Sequence, residues 1–447
     1  MFLIGKSISK GAFQIDFIYA GGTCPTEKNL ITLVVSILLA YSVLEIFVWR
    51  NLLHHVPLTL HSELGRLKPL AQSSKSGVVP KDYILILGDS YAEGLGDWLM
   101  RVVGDGNPDY SASHVIHELS GRDVLTSGHR GGHPSIVNVF HATREFTGVN
   151  LYAGLSVDHP DDLVVYYYEG NDINDEMAYI NFLPPNVDRE RLSEPKYLRA
   201  VIDGIGADGV KAAHKRWHLF RSAHLLDTST KLFKLAYKNI KKDAGNLFQN
   251  TDPSFRVRAN TYEADWSRYK DSETPILAGG KVLYYPQGSV EGFPYRTPEE
   301  IALTSQIFGE TIGYLNRFFP GARLWVVYIP SPINVYELKD GHATLRDRIR
   351  FAQNEKAGPP KRFTAEQLLG ASDTICRSVK DMSEKANATF VDTRSHFRAV
   401  SGRLGYLHGP NDAAHLNEKG YRTLARIILD AMKNGPSDAQ CQLSETL

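Results

Sequence analysis

The chain has 447 residues, 43% of them hydrophobic, which is enough to build one large core or two smaller ones. Lysine and arginine together number 50, as do aspartate and glutamate, so the net charge is zero and no nucleic-acid partner is indicated. The three cysteines, Cys24, Cys376 and Cys441, are widely scattered, and we expect neither a disulfide framework nor a metal cluster from them.

The first predicted element is an apolar segment near the N-terminus. Residues 30–49, LITLVVSILLAYSVLEIFVW, contain one charged residue, Glu45, and are about long enough to cross a bilayer as a helix. Because the segment shows no clear signal-cleavage site, we expect an uncleaved single-pass membrane anchor over residues 30–53, after an N-terminal tail of residues 1–29. A hydrophobic helix packed on a soluble domain is the alternative, since a glutamate is costly in lipid. Basic residues flank the segment on both sides and do not define its orientation.

A linker is predicted next, and the main domain follows it. Residues 54–81 contain three prolines and the stretch SSKSG, a composition typical of a tether. We expect residues 82–433 to form the main domain and residues 434–447 to form a C-terminal tail.

Five apolar runs in the main domain predict strands, and segments with helical patterns lie between them. The third run, DLVVYYYEG, is continuous in Val and Tyr, as in a strand that is buried on both faces. This alternation predicts an α/β fold in which helices cover both faces of a parallel sheet. The predicted strands cover residues 83–87, 123–127, 162–170, 322–330 and 388–393, and the predicted helices cover residues 111–119, 298–318, 365–385 and 418–432.

Residues 180–297 fit this alternation poorly, and we interpret them as a mostly helical insertion. Within it, residues 211–242 carry nine lysines or arginines and one acid, Asp227, with apolar residues at roughly helical spacing. A basic amphipathic helix of this kind can lie on an anionic membrane surface. The alternative is a helix that packs on the core and exposes its basic face to solvent.

Small and polar residues follow the predicted strands, at the sheet edge where α/β proteins bind ligands. Ser90 follows the first strand in GDS, glycines follow the second in TSGHRGGHPS, and Asn171 follows the third in GND. Asp412 precedes His415 by three residues, just before the last predicted helix. A hydroxyl nucleophile needs a base, a group that orients the base, and donors for the oxyanion. Ser90 can be the nucleophile, His415 the base and Asp412 the group that orients the base. Backbone N–H groups of Ser90 and of a loop glycine, together with the amide of Asn171, can stabilise the oxyanion.

These residues resemble the conserved sequence blocks of the SGNH hydrolases, also called the GDSL esterase and lipase family. Ser90 in GDSYAEG is similar to the block I nucleophile, and Asn171 in EGND is similar to the block III oxyanion donor. Asp412 and His415 in DAAH are similar to the acid and base of block V.

One further glycine matches the family, and two positions depart from its pattern. Gly131 corresponds to the block II glycine, with Gly132 as the alternative. Thr126 stands where the family commonly has asparagine, and Glu169 stands where the GxND of block III has its glycine. The matching asparagine of block III is present, so the resemblance implies an oxyanion hole made by Ser90, Gly131 and that asparagine.

The resemblance covers roughly residues 82–179 and 320–433, and it implies a three-layer, flavodoxin-like SGNH hydrolase fold. The implied activity is that of a serine esterase, by two-step acyl transfer without a cofactor or metal. The implied substrates are acyl esters, including O-acetyl groups on cell-envelope polysaccharides, and the expected location of the catalytic domain is periplasmic or otherwise extracytoplasmic. Acyl transfer to an acceptor hydroxyl by the same triad is one alternative. A non-catalytic glycan-binding or membrane-assembly protein with the same fold is the other.

Two further pairs of residues were weighed as chemical sites. Asp392 and His396 offer a rival acid and base, but their spacing differs from that of the block V pair. His129 and His133 stand four residues apart without the glutamate of an HExxH metal motif. We therefore expect neither pair to be functional.

Overall fold

The computed structural model of the protein describes residues 27–48, 53, 56, 69–102, 111–129, 135–153, 157–214, 263–270, 272–286, 290–351 and 354–446. The helices are α1 (Glu27–Phe47), α2 (Ser90–Glu93), α3 (Asp97–Val102), α4 (Ala112–Ser120), α5 (Ser135–Ala153), α6 (Asp172–Ile180), α7 (Pro195–His214), α8 (Ser267–Lys270), α9 (Pro298–Phe318), α10 (Ala365–Lys385), α11 (Arg394–Leu404) and α12 (Glu418–Asn434). The strands are β1 (Ile84–Gly88), β2 (Val124–Gly128), β3 (Asp162–Tyr168), β4 (Pro275–Ala278), β5 (Lys281–Tyr284), β6 (Val290–Glu291), β7 (Arg323–Ile329), β8 (Glu337–Leu338), β9 (His342–Phe351), β10 (Asn354–Thr364) and β11 (Thr389–Asp392). Short 3-10 helices cover Glu190–Ser193, Phe293–Tyr295, Pro332–Val335 and Leu443–Thr446.

A five-stranded parallel sheet forms the centre of the fold, with the strand order β2-β1-β3-β7-β11. Its strands lie within the five predicted apolar runs or one residue beyond them, which confirms the α/β fold with a parallel sheet. Every residue of β1, β2 and β3 is buried, as expected for strands covered on both faces.

Aromatic contacts of β3 show which helices cover the two faces. The ring of Tyr167 lies 5.0 Å from that of Phe308 in α9. The ring of Tyr168 lies 4.2 Å from that of Tyr91 in α2, and Tyr91 lies 6.4 Å from Tyr421 in α12. Since successive side chains of a strand point to opposite faces, α9 covers one face of the sheet and α12 covers the other.

The helices α9 and α10 begin and end at the predicted residues, and their first turns explain where they begin. The Thr297 hydroxyl accepts a hydrogen bond from the Glu300 backbone N–H, and the Glu300 carboxylate accepts one from the Thr297 N–H. Thr364 and Gln367 form the same reciprocal pair at the start of α10. Such capping boxes satisfy donors that the helix itself leaves unpaired.

Two regions differ from the simple alternation of strands and helices. The described part of residues 180–297 contains the helix α7 but also the strands β4, β5 and β6, so it is of mixed structure. Residues 215–262, which hold most of the predicted basic helix over 211–242, lie outside the described residues. The antiparallel hairpin of β9 and β10 was not predicted, because its charged sequence lacks the apolar alternation of a strand.

The helix α1 coincides with most of the predicted anchor. Its large apolar side chains are exposed around the helix: Leu30, Ile31, Leu33, Val34, Val35, Ile37, Leu38, Leu39, Val43 and Phe47. Within the described part of the chain, no helix combines the length and hydropathy that a membrane span requires. The fold therefore gives the predicted anchor over residues 30–53 no support, and residues 49–52 of that segment lie outside the described residues.

The expectation that the cysteines are unpaired is wrong for Cys376 and Cys441, which form a disulfide between α10 and the C-terminal segment. Their separation of 65 residues gave no indication of pairing. Backbone hydrogen bonds add to this attachment, because the Cys441 N–H donates to Asp392 and the Leu443 N–H donates to Asp373.

Loss of this disulfide should lower the free energy of unfolding by about 2–4 kcal/mol, because the bond restricts a long loop in the unfolded chain. Urea unfolding of Cys441→Ser, followed by circular dichroism, measures the effect. The variant Cys24→Ser is the matched control, since it removes a cysteine without touching the bond. Equal midpoints for Cys441→Ser and the wild type would contradict the prediction.

Candidate active site

Ser90 is the first residue of α2, in a tight turn that follows β1. The Asp89 carboxylate caps the turn by accepting the backbone N–H of Tyr91 at 2.9 Å. Gly94 ends the helix in the left-handed conformation, at a φ of 83°, which glycine adopts without strain. The nucleophile candidate is therefore held by a strand on one side and by a closed turn on the other.

The structure brings Ser90, His415 and Asp412 together. The Ser90 Oγ lies 2.8 Å from His415 Nε2, and His415 Nδ1 lies 2.7 Å from the Asp412 carboxylate. With the ring proton on Nδ1, His415 donates to Asp412 and leaves Nε2 to accept the proton of Ser90. The arrangement is therefore a nucleophile, a base and an orienting acid within hydrogen-bond reach of one another.

The Asp412 carboxylate is stabilised in its charged form. Burial acts to raise its pKa, but the hydrogen bond and charge of His415 and the backbone N–H groups of Ala414 and His415 together hold the pKa below its ordinary value. Asp412 therefore stays ionised and can balance a positive charge on His415 when that ring takes up a proton.

Asp97 holds the loop that carries this acid, and the sequence analysis missed it. Its carboxylate is 4% exposed and accepts the backbone N–H groups of Asn411 at 2.9 Å and Asp412 at 2.7 Å. Gly96 permits this approach, since a Cβ atom there would lie 2.5 Å from the Leu416 carbonyl oxygen. The stretch GLGDW thus connects the turn that carries Ser90 to the loop that carries Asp412 and His415, here called the histidine loop.

Replacing Asp97 by alanine should lower kcat without abolishing it, by about tenfold or more, because the N–H groups of two loop residues lose their charged acceptor. The rate at which purified protein hydrolyses 4-nitrophenyl acetate measures the effect. The variant Asp97→Asn should fall between alanine and the wild type, since its amide oxygen can still accept. A kcat for Asp97→Ala equal to that of the wild type would contradict the positioning role.

Two tyrosines also hold the histidine loop. The hydroxyls of Tyr91 and Tyr168 both donate to the Ala414 carbonyl, at 2.6 and 3.3 Å. Burial, together with the neighbouring Tyr168, raises the pKa of Tyr91 well above its ordinary value, so this hydroxyl remains a donor. No signal in the sequence pairs these tyrosines with a loop more than two hundred residues away.

Asn171 lies beside the serine turn, at the N-terminal end of α6. Its amide hydrogen-bonds to Asp89, the residue that also contacts the Ser90 hydroxyl at 3.4 Å. The buried Oδ1 of Asn171 has no hydrogen-bond partner among the described residues. The structure therefore places Asn171 and Ser90 around one carboxylate, whereas Gly131 and Gly132 lie outside the described residues.

Acidic side chains lie beneath these residues. Burial raises the pKa of Asp89, and burial with the nearby Asp89 charge raises the pKa of Asp172 well above its ordinary value. Two buried carboxylates that lie close together resist being ionised at the same time, because their negative charges repel. Asp172 therefore binds a proton more readily than Asp89 does.

Glu169, which departs from the family pattern, has a structural role of its own. Its buried carboxylate accepts hydrogen bonds from the Tyr328 hydroxyl, the Ser331 N–H and the Asn334 amide, at 2.8–3.1 Å. These bonds fix the end of β3 to the end of β7 and to the segment that follows it. A glycine could not make this connection.

The rival acid and base do not form a site. Asp392 is bound by both guanidinium nitrogens of buried Arg394 on one edge, at 2.8 and 2.9 Å, whereas His396 is exposed on α11. No hydrogen bond or ion pair among the described residues joins Asp392 to His396.

Two clusters of metal-ligand side chains occur among the described residues, and neither suits a cation. His129, His141 and Glu145 present ligand atoms within 4.8 Å of one another, but the Arg144 guanidinium lies 2.9 Å from His141 Nδ1 and 3.6 Å from Glu145. A guanidinium at this distance already supplies the positive charge. The other cluster is formed by Asp392 and the disulfide cysteines, whose sulfurs are bonded to each other.

His408 is buried behind the histidine loop and remains neutral. The Tyr336 hydroxyl accepts the Leu407 N–H and is hydrogen-bonded to His408 Nδ1 at 3.1 Å. Burial, with the nearby charge of His415, lowers the pKa of His408 from 6.5 to about 3. The folded protein thus takes up this proton at a lower pH than the unfolded chain does.

Acidification should therefore weaken the fold through His408. Below pH 6.5 the unfolded chain binds the proton first, so the free energy of unfolding should fall by about 1.4 kcal/mol per pH unit from this group. Urea unfolding of the wild type and His408→Gln between about pH 6.5 and 4.5 measures the difference in slope. Parallel slopes for the two proteins would show that His408 does not remain neutral.

In this geometry His415 can act as a base on the Ser90 hydroxyl, and the ionised Asp412 orients the imidazole ring. The described carboxylates, hydroxyls and amide lie at the ends of β1 and β3 and in the loop before α12, where a ligand can approach a parallel sheet. Comparisons of the chain with models of protein families, with curated proteins and with solved structures find no match.

Proposed function

We propose that the protein is a serine esterase of the SGNH type that hydrolyses acyl esters. The observation that carries the proposal is the continuous chain of hydrogen bonds from Ser90 through His415 to Asp412, at 2.8 and 2.7 Å. A serine hydroxyl with an aligned base and acid is the arrangement by which serine hydrolases form an acyl-enzyme.

The strand order supports the fold part of this proposal. Counting the strands of the central sheet alone, the order is 2-1-3-4-5, which is that of flavodoxin-like sheets. In such sheets ligands bind at the switch point between the first and third strands, so a residue just after the first strand reaches that crevice. Ser90 occupies that position.

The reaction proceeds in two steps. Ser90 Oγ attacks the ester carbonyl while His415 Nε2 accepts its proton, and the protonated ring then delivers that proton to the departing alcohol. Water attacks the acyl-serine and gives a proton to His415, which returns it to Ser90 Oγ as the bond to the acyl group breaks and the carboxylic acid leaves. Donors at Ser90 and Asn171, with the predicted donor at Gly131, stabilise the oxyanion in both steps.

Acyl esters on cell-envelope glycans, including O-acetyl groups, are the proposed substrates, and an extracytoplasmic location is proposed with them. The disulfide between Cys376 and Cys441 supports this location, since such bonds persist in oxidising compartments. Attachment to a membrane through residues 30–49 is part of the proposal and rests on the apolar sequence of that segment. Washing isolated membranes with alkaline carbonate tests attachment, and release of the intact protein would oppose it.

Covalent labelling tests the esterase proposal directly. Brief incubation with 4-nitrophenyl acetate should acetylate the peptide that contains Ser90, as detected by mass spectrometry, and Ser90→Ala should remain unlabelled. A fold-competent protein that releases no nitrophenol and gains no acetyl group would refute the proposal.

Acyl transfer requires the same residues and differs only in the group that attacks the acyl-serine. An isotopically labelled acetyl donor, supplied with glycan acceptors, separates the two outcomes. Label in free acetate supports hydrolysis, and label on the glycan supports transfer.

A further inference from the structure

A cavity of about 790 Å³ borders the loop that carries the histidine and the acid. Gly409, Pro410 and Asn417, which flank Asp412 and His415 in the sequence, form part of its wall. The volume lies within the range of small-molecule binding sites. The cavity therefore adjoins the candidate active site and is not formed by the triad residues themselves.

The charge of this cavity is mainly positive. Its lining includes five basic side chains, Arg101, Lys281, Arg403, Lys419 and Arg422, and two acidic ones, Asp97 and Glu418.

The two acids of the cavity are already engaged. Asp97 accepts two backbone N–H groups, and Glu418 pairs with Arg101 and Arg422. Arg403 and Lys281 are exposed, and neither forms an ion pair with any residue in the described ranges. Within the described part of the chain, these two cations are therefore available to an anionic ligand.

An aromatic surface lies beside these cations. Trp266 lines the cavity, is 37% exposed, and stacks on Tyr406 with ring centroids 4.9 Å apart. Tyr269 supports both rings edge-on, at 5.1 Å from each. A rigid, partly exposed aromatic ring of this kind can pack against the C–H face of a sugar ring with little loss of side-chain entropy.

The aromatic surface is connected to the candidate active site through one residue. The Asn411 side chain accepts the Asp265 N–H at 2.7 Å and donates to the Glu263 carbonyl at 2.9 Å. Its backbone N–H donates to Asp97. The segment that carries Trp266 is thus tied to the residue immediately before Asp412.

We propose that this cavity binds an anionic oligosaccharide segment of the substrate, with a sugar ring on Trp266 and its carboxylates on Arg403 and Lys281. That the bound chain carries the ester cleaved at Ser90 rests on the proposed esterase function. Binding itself rests only on the cavity.

The observations favour a saccharide over a nucleic acid. A single-stranded nucleic acid needs a basic track along its backbone and several stacking surfaces. Here two cations without an ion pair in the described ranges line the same cavity as one exposed aromatic ring, and the chain as a whole has no net charge. A short sugar chain with carboxylate groups matches this smaller, mixed surface.

Calorimetric titration tests the proposal with full-length Ser90→Ala, in which a bound ester cannot be turned over. Tetragalacturonate is the anionic probe and maltotetraose is the neutral one. We expect tetragalacturonate to bind at least about tenfold more tightly, and its affinity to fall with added salt. Combined Lys281→Ala and Arg403→Ala substitutions should weaken tetragalacturonate binding by about tenfold or more.

Further variants separate the two parts of the surface. Trp266→Ala should weaken tetragalacturonate binding by about tenfold or more, and Trp266→Phe should restore part of the loss. Arg199→Ala is the matched control, because it removes an exposed arginine of α7 that pairs with Glu310 far from the cavity lining. It should leave binding unchanged.

Three results would overturn the proposal: no binding of tetragalacturonate, equal binding of the two tetrasaccharides, or tighter binding of a short oligothymidylate. Hydrolysis of 4-nitrophenyl acetate by protein with Ser90 intact tests the proposed function separately. Turnover of this small ester without tetragalacturonate binding refutes the cavity assignment alone. Binding without turnover refutes the esterase function alone.

Discussion

Replacing Ser90 by alanine should reduce ester hydrolysis by about 10⁴- to 10⁶-fold, since Ser90 carries the hydroxyl that is hydrogen-bonded to His415 among the described residues. The Ser90 hydroxyl is the group that lies 2.8 Å from His415 Nε2. Alanine removes only one buried oxygen, so the circular dichroism and melting temperature should stay close to those of the wild type. Steady-state kinetics with 4-nitrophenyl acetate measure the loss.

Asp412→Asn should also cost about 10⁴-fold in kcat, for a different reason. The asparagine amide can donate to His415 Nδ1, and this favours the imidazole tautomer with its proton on Nε2. A protonated Nε2 cannot accept the proton of Ser90. Because the three residues act as one unit, the double variant Ser90→Ala with Asp412→Asn should be no slower than Ser90→Ala alone. Additive losses would indicate that Asp412 works outside the triad, and wild-type rates in either single variant would exclude the mechanism.

Replacing Arg394 by methionine should destabilise the fold by about 3–5 kcal/mol, because two buried carboxylates lose their cation. Arg394 is fully buried, binds Asp392 with two nitrogens, and donates a third hydrogen bond to Asp373 at 3.0 Å. These contacts hold the edge strand β11 and the C-terminal segment. Urea unfolding followed by circular dichroism measures the difference.

Arg199→Met provides the matched control for this loss. Its guanidinium pairs with Glu310 at 2.9 Å but is 58% exposed, so its removal should cost at most about 1 kcal/mol. If the two variants lost the same free energy of unfolding, burial would not explain why the fold depends on Arg394.

The pH dependence of the Arg394 variant has a definite sign. Burial acts to raise the pKa of Asp392, but Arg394 holds that pKa below its ordinary value. The ion pair therefore stabilises the wild type fully above the ordinary aspartate pKa. This stabilisation is lost as the pH falls through the pKa that Asp392 has in the folded protein. Without Arg394, burial should raise the pKa of Asp392, and its protonation should relieve the variant. The stability gap between wild type and Arg394→Met should therefore narrow on acidification.

Local sequence patterns were enough to predict the strands of the central sheet and the helices α9 and α10. Continuous Val and Tyr in 162–170 marked a strand buried on both faces, and Pro298 and Ala365 begin helices whose capping threonines precede them. The hairpin of β9 and β10 escaped prediction, since its charged residues show no strand periodicity and its form depends on pairing with a second strand.

Long-range pairings in the candidate site could not be predicted in the same way. The acid, base and nucleophile were identifiable because a hydroxyl and an imidazole carry recognisable chemistry in short motifs. Asp97 and Tyr91 carry no such sign, since their roles consist of hydrogen bonds to backbone groups more than three hundred residues away. The pairing of Cys376 with Cys441 was missed for the same reason.

By itself the sequence indicated the five strands of the parallel sheet and several of its helices, and it offered a hydroxyl, an imidazole and a carboxylate as candidates for acyl chemistry, because periodicity and functional groups are local properties. Only the tertiary structure decided which distant loops meet, which carboxylates are buried beside a cation, and where a basic cavity opens beside the histidine loop. Those outcomes depend on the register of the parallel sheet, which sets the position of every strand end and is not written in any single stretch of residues.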